Sequence, residues 1–245
     1  MTHELQVIAL AGGKGDLGQY LQEALSQDPR YSLVILTRQI NPSTLKSPHT
    51  DTNTNTTTIP TDYTLSSLLS ILTTTQATTL ISLIRCPDAD YLPLHTSLLE
   101  AARLTQSCTR FIPSEWAGDI ASFPDLSRAY ARTRAPLRGL LANQPCPKVE
   151  YTLFNHGWCM EFSCPRQSRI DDWGTFNQMA ETLERFYDQP ESLELAIAEA
   201  EEWTVSGATA CPKEKTLWQR ETYFAGMQFT TVKQLLQQAE REERV

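Results

Sequence analysis

Clustered positive charge is missing from this chain of 245 residues, which sets 21 Lys and Arg against 29 Asp and Glu for a formal net charge of -8. Phosphate backbones demand a basic patch, so nucleic acid is not expected as a general partner. Missing too is any run approaching the ~20 apolar residues of a membrane helix. No cationic stretch with a cleavage site precedes the first apolar run, so no secretory signal is expected and the cytosol is the expected compartment. The six cysteines, Cys86, Cys108, Cys146, Cys159, Cys164 and Cys211, contain no Cys-x-x-Cys pair, and no two histidines have zinc spacing. Neither a metal site nor a disulfide framework is indicated, and the thiols are expected to stay reduced.

What the chain does have stands at its start. The apolar run Leu5 to Ala11 feeds directly into Gly12-Gly13-Lys14-Gly15-Asp16-Leu17-Gly18 and then into a helical pattern with Leu17, Leu21, Ala24 and Leu25 on one face. A buried strand, a glycine turn and a helix N-terminus in that order form a dinucleotide-binding unit. The glycines admit a pyrophosphate close to the backbone, and the opening N–H groups of the helix supply donors and a partial positive charge. Gly12, Gly13, Lys14, Gly15, Asp16, Leu17 and Gly18 are therefore the candidate cradle. Lys14 is not a Walker lysine, because the Gly-Lys-Ser/Thr order is absent.

The second strand, Leu33 to Leu36, ends in Thr37-Arg38. An acidic residue there would hold the ribose 2′-hydroxyl of NAD, whereas arginine suits a 2′-phosphate. Arg38, with Lys46 farther along the same loop, points to NADP(H).

Strand and helix patterns then alternate. Thr57 to Pro60 reads as a short edge strand, since proline is confined to edges. Leu65 to Leu72 reads as a helix, Thr79 to Ile84 as a buried strand, and Pro93 to Arg103 as a helix. Thr109 to Pro113 is the next strand, Leu126 to Leu141 a helix bent at Pro136, and Val149 to Phe154 a sixth strand. The expected fold is α/β, a Rossmann-type doubly wound parallel sheet with a small, mostly helical C-terminal region. Its crevice lies beyond the carboxyl ends of the strands, which gathers the glycine turn, Arg38, Ile84 to Cys86, Ser114 to Trp116 and Asn155 to Trp158.

Past Phe162 the strands give out. Thr175 opens a capping-box helix with Phe176, Met179, Leu183 and Phe186 inward; Glu191 to Trp203 and Thr231 to Arg244 are further helices. The expected organisation is an NAD(P)-binding Rossmann domain over 1–162 and an abbreviated helical substrate or lid region over 163–245.

The segments Ala9 to Gly18, Leu36-Thr37-Arg38, Arg110-Phe111-Ile112-Pro113-Ser114-Glu115-Trp116 and Tyr151-Thr152-Leu153-Phe154-Asn155-His156-Gly157 together resemble the NmrA-like group of atypical short-chain dehydrogenase/reductase relatives, which includes the isoflavone-reductase-like enzymes. The resemblance covers roughly residues 5 to 162. It implies a Rossmann protein using NADPH, either reducing small aromatic or other secondary metabolites or sensing nucleotide redox state without catalysis.

Two departures bear on catalysis. The family reductases carry a catalytic lysine in the helix after the Ser-Glu block, and Arg134 stands in that place here. Arginine stays protonated and cannot shuttle a proton, though it can bind ribose or stabilise an oxyanion. Tyr130 and Arg134 imitate the Tyr-x-x-x-Lys of the wider superfamily, where a cation lowers the tyrosine pKa; an exposed helix pair is the plain alternative. The second departure is length, for the strands that the resemblance implies after Phe162 are replaced by Ser163 to Arg166 and the helical tail.

Ser114, a candidate beside the cofactor, reads either as a carbonyl-orienting hydroxyl or as a cap. His156 reads as an acid beside the nicotinamide or as a structural histidine. Asn155 shapes the ring pocket. The catalytic candidates are thus Tyr130, Arg134 and His156, acting on a small-molecule substrate. The competing readings are an NADP-binding regulator that recruits a protein partner and a truncated, inactive relative.

Overall fold

The structure, a computed structural model, describes residues 5–38, 49–51, 55–116, 118–119, 122–123, 128–143, 146–154, 181, 183–185, 189, 192–208 and 213–227. Contacts divide the chain into two compact units, Met1–Ala210 and Cys211–Val245.

The first unit is built on a seven-stranded sheet. In chain order the elements are β1 (Gln6–Ala11), α1 (Asp16–Ser26), β2 (Tyr31–Arg38), β3 (His49–Asp51), β4 (Thr56–Thr61), α2 (Leu65–Thr75), β5 (Thr79–Ser82), α3 (Asp88–Leu104), β6 (Arg110–Ile112), α4 (Arg128–Asn143), β7 (Glu150–Tyr151) and α5 (Leu193–Ser206). The strand order is β3-β4-β2-β1-β5-β6-β7, and every pairing is parallel except that of β3 with β4. Six parallel strands with flanking helices give the doubly wound fold expected from the alternating pattern. The order of winding reverses at β1, since β2 and β4 are added on one side of it and β5, β6 and β7 on the other, so a crevice opens over the carboxyl ends of β1 and β5.

Continuous apolar strands arise because both faces are covered. Alternate residues of β1 and β2 point to opposite sides. Ala9, Ala11, Val34 and Leu36 join Leu68 and Leu72 of α2, Leu98 and Leu99 of α3 and Leu137 and Leu141 of α4 in the larger core. Ile8, Leu10, Leu33 and Ile35 form a second cluster, on which Leu25 of α1 packs. Ala24, expected on the inward face of α1, is exposed.

Three sequence expectations shift. Thr57 to Pro60 is not the sheet edge along its first half, because β3 pairs outside it from His49↔Thr58 to Asp51↔Thr56. Pro60 lies two residues past that ladder, where no donor is required of it. The helix expected from Pro93 starts at Asp88 instead. Asp88 and Asp90 place negative charge in its first turn, which offsets the bond that Pro93 cannot make. The strand expected over Val149 to Phe154 is cut to Glu150–Tyr151.

In the tail, α5 realises the helix read from Glu191 to Trp203, and Leu195 and Ala198 pack with Leu183 in a small cluster of their own. The helix end is tied to the sheet side by the Asp119 N–H, which donates to the Ala208 carbonyl at 2.8 Å. The remainder of the helix read from Thr175, and that of Thr231 to Arg244, lie outside the described residues.

The second unit contains α6 (Lys213–Tyr223), with no buried residue. No apolar stripe announces it in the sequence. No helix among the described residues is long and apolar enough to cross a membrane, and none of their His, Cys, Asp and Glu side chains form a group of three able to hold a metal ion.

Candidate functional site

The glycine turn sits at the reversal point of the sheet. Gly12 has φ of +81°, and a Cβ on it would fall 2.9 Å from the Ile84 nitrogen and the Leu83 carbonyl carbon, so the turn lies directly against the chain leaving β5. Gly18 is a second point of close approach: its Cβ would lie 2.6 Å from Gly13 Cα. Any side chain at Gly18 would push α1 off the turn.

Two glutamines of α1 hold this turn from behind. Gln22 Nε2 donates to the Gly13 carbonyl and, at 3.1 Å, to that of Gly18, while Gln19 Nε2 donates to the Lys14 carbonyl at 3.2 Å. The carbonyls are thereby turned inward. The N-cap of α1 is Gly15, which has no side chain to cap the helix. By contrast, Thr64 caps α2 by accepting from the Ser67 N–H. An uncapped helix start under a glycine turn presents N–H donors and the positive end of a helix dipole, the requirements of a phosphate site. Lys14 is exposed beside it. Asp16 and Leu17 contribute backbone donors in the first turn.

Arg38 ends β2, exposed, opposite Thr61 of β4. Its positive charge opposes the upward pKa shifts that burial imposes on Tyr63 and Cys86. Lys46 lies outside the described residues.

Beyond β5 and β6 a buried polar network closes the other end of the crevice. The Trp116 indole N–H donates to the Ser82 carbonyl at 2.8 Å, and the Tyr91 hydroxyl to the Ser114 carbonyl at 2.9 Å. His95 is fully buried between Ser82 Oγ (3.1 Å from Nε2) and the Tyr91 carbonyl (2.9 Å from Nδ1), with its ring stacked on Tyr91 at 4.0 Å. Burial drives the His95 pKa down to about 4, so the ring is neutral; the nearby Arg134 charge adds to the effect. Ser82 and His95 resemble a nucleophile and base, but both are sealed from solvent and serve to lock α3 to β5.

Arg134 reaches this network from α4. Its guanidinium lies 4.9 Å from the centre of the Tyr91 ring, a cation–π contact, and it donates to Thr133 Oγ1 at 3.3 Å. One turn further along α4, Arg138 Nε donates to Glu115 Oε2 at 2.8 Å, with Nη2 2.7 Å from the same oxygen. The Glu115 side chain is fully buried; desolvation raises its pKa, and the Arg138 and Arg134 charges oppose the shift. Its second oxygen has no hydrogen-bond partner among the described residues. Trp116 stacks on Phe154 at 5.0 Å, joining the ends of β6 and β7.

Of the sequence-predicted residues, the structure gathers Gly12 to Gly18, Arg38, Ser114 and Arg134 around the strand ends. Ser114 is buried, and its carbonyl receives the Tyr91 hydroxyl. Tyr130 lies on α4 four residues before Arg134, with its side chain outside the described residues, as are Asn155 and His156. Sequence reasoning missed Gln22, Tyr63, Tyr91, His95 and Arg138. The Tyr91–His95 pair at i, i+4 was hidden by starting that helix at Pro93. The series Tyr130, Arg134, Arg138 at helical spacing would have exposed Arg138.

The fold and the crevice define a Rossmann-type α/β protein. No protein-family profile matches the chain. It is 35% identical over 162 residues to the protein named oxidoreductase swnR of Arthroderma benhamiae, an overlap of 66% of this chain and 49% of that protein. It is 34% identical over 173 residues to the swnR oxidoreductase of Metarhizium robertsii, covering 70% and 52% respectively. The chain therefore spans about half the length of the relatives it matches. Among solved structures, a ternary complex of leucoanthocyanidin reductase from Vitis vinifera superposes with a TM-score of 0.54 at 11% identity, over 83% of this chain and 88% of that one, a likeness of fold. The chain is thus similar in sequence to two proteins named oxidoreductases, over about half their length, and shares the Rossmann fold of a reductase, in line with the resemblance read from the sequence.

Proposed function

We propose that this chain binds NADP(H) across the carboxyl ends of β1, β2, β5 and β6 and acts as a reductase of a small organic molecule. The observation that carries the reading is the uncapped start of α1 beneath a turn that admits no side chain at Gly12 or Gly18. Backbone N–H groups of residues 13–18, apart from that of Gly15, which donates to the Gly12 carbonyl, meet the pyrophosphate, and Arg38 meets the 2′-phosphate. The bound nucleotide supplies hydride. Arg134 offers a fixed positive charge toward the reacting end and cannot itself exchange a proton, so proton delivery falls to Tyr130, His156 or water. Residues 1–162 form the nucleotide-binding part, 163–245 the abbreviated lid, and the cytosol is the proposed compartment.

Fluorescence titration tests the binding step. NADPH is expected to bind more tightly than NADH, and Arg38→Ser to weaken NADPH about 10- to 100-fold with little change for NADH, the worth of charge-assisted hydrogen bonds to one phosphate. Gly18→Ala abolishes binding of both. Absence of saturable NADPH binding by the unaltered chain ends the proposal. Turnover is tested with aromatic ketones, enones and imines, where Tyr130→Phe or His156→Ala suppresses NADPH oxidation.

Arg134 in the lysine position favours a second reading, an NADP-binding regulator without catalysis. Tight binding without turnover, together with a protein partner whose affinity differs between NADP+ and NADPH, selects it. The third reading, an inactive relative, requires neither turnover nor such a partner.

A further inference from the structure

Gln22 lies half-buried on α1, four residues past Gly18, with its side-chain amide facing the glycine turn. Nε2 donates to the Gly13 carbonyl and, at 3.1 Å, to the Gly18 carbonyl. An amide nitrogen carries two hydrogens, so these two acceptors occupy both. Gly13 fits closely against it: a Cβ there would fall 3.2 Å from Gln22 Nε2, 3.1 Å from Ile35 Cγ2 and 3.3 Å from Leu10 Cδ2. The buried Gly13 is therefore wedged between the second core cluster and the glutamine.

Holding one carbonyl decides the direction of one N–H. A peptide group is planar and trans, so the Gly13 C=O and the Lys14 N–H point opposite ways. With the carbonyl turned onto α1, the Lys14 N–H is turned away from it, at a residue that is exposed. The next N–H behaves otherwise, for that of Gly15 folds back on the Gly12 carbonyl at 3.3 Å. No hydrogen bond among the described residues takes up the Lys14 N–H. It is a donor fixed in direction and left open.

We infer that Gln22 is a positioning residue that aims the Lys14 N–H at the pyrophosphate, and thereby sets the affinity for dinucleotides with or without a 2′-phosphate. The inference rests on the NADP(H) reading and deepens it. Gly12, Gly13 and Gly15 give the turn wide conformational freedom, which an anion bound by its backbone would have to remove. Gln22 removes it beforehand, at the peptide whose N–H stays open. The residue touches no phosphate; it acts through the Gly13–Lys14 peptide.

The test is Gln22→Met, which keeps the length of the side chain and removes both donors, titrated with NADPH, NADH and adenosine 2′-monophosphate, a ligand without a pyrophosphate. NADPH and NADH are each expected to weaken tenfold or more, by similar factors, with less than a threefold change for adenosine 2′-monophosphate. Unchanged binding of the dinucleotides overturns the inference, as does a loss confined to NADPH. Equal weakening of all three ligands also overturns it and leaves Gln22 a packing residue. Failure of the unaltered chain to bind NADPH overturns the underlying cofactor reading instead. Should Gln22→Met not fold, hydrogen exchange in the unaltered chain decides: the Lys14 amide is expected to exchange fast without nucleotide and at least tenfold more slowly when NADP+ saturates the protein. A Lys14 amide that NADP+ leaves unprotected overturns the inference.

Discussion

His95 shows how burial decides charge at a single residue. With its pKa held near 4, the ring stays neutral in the folded protein, while in the unfolded chain it takes up a proton below about pH 6.5. The folded-state value is depressed. Its contribution is therefore complete above pH 6.5 and lost as pH falls toward 4, amounting to about 3 kcal/mol over that window. Urea unfolding at pH 7 and pH 4.5 should show a smaller acid-induced loss for His95→Gln than for the unaltered protein. Equal losses would mean that His95 is protonated without penalty. None of this was legible beforehand, because a histidine four residues after a tyrosine carries no mark of depth. Burial comes from three elements meeting, and only one of them is local.

At the scale of elements, the Glu115–Arg138 pair bolts the end of β6 to α4 and so fixes where Arg134 stands. Both partners lie out of bulk solvent, Glu115 wholly and Arg138 to all but 16% of its side chain. Removing the cation alone strands a buried carboxylate, so Arg138→Met should cost about 3–5 kcal/mol in denaturant unfolding. The deficit should shrink as pH falls through the carboxylate range, since a protonated Glu115 needs no counter-charge. A double variant with Glu115→Gln should recover part of the loss, and simple additivity of the two changes would show that they are not coupled. The parallel sheet was readable from the apolar runs of β1, β2 and β5, because strands buried on both faces have little choice of composition. The glycine turn and Arg38 were readable for a related reason: their chemistry is carried by residue type and order. Tyr63, Tyr91 and Arg138 were not, because each acts on a residue more than 20 positions away. β3 escaped notice as three polar residues with no apolar alternation.

For the whole molecule, the division at Ala210 separates a sheet with a continuous core from a helix that buries none of its residues. Stability should therefore reside in the first unit. A chain ending at Ala210 is expected to melt within about 2 °C of the full chain, the shift that a few tenths of a kcal/mol produces in a domain this large. A larger drop in calorimetry would show that the second unit supports the sheet. The acidic balance of the chain acts at this scale too, keeping molecules apart by mutual repulsion rather than shaping any one site.

The antiparallel strand β3 has a consequence for crowding. Unpaired strand margins recruit other chains and seed fibrils. Here the outermost described strand offers a newcomer only three residues, His49, Thr50 and Asp51, and just past its reach β4 presents the ring nitrogen of Pro60, which has no hydrogen to give. Stacking of copies along that flank starves for lack of rungs.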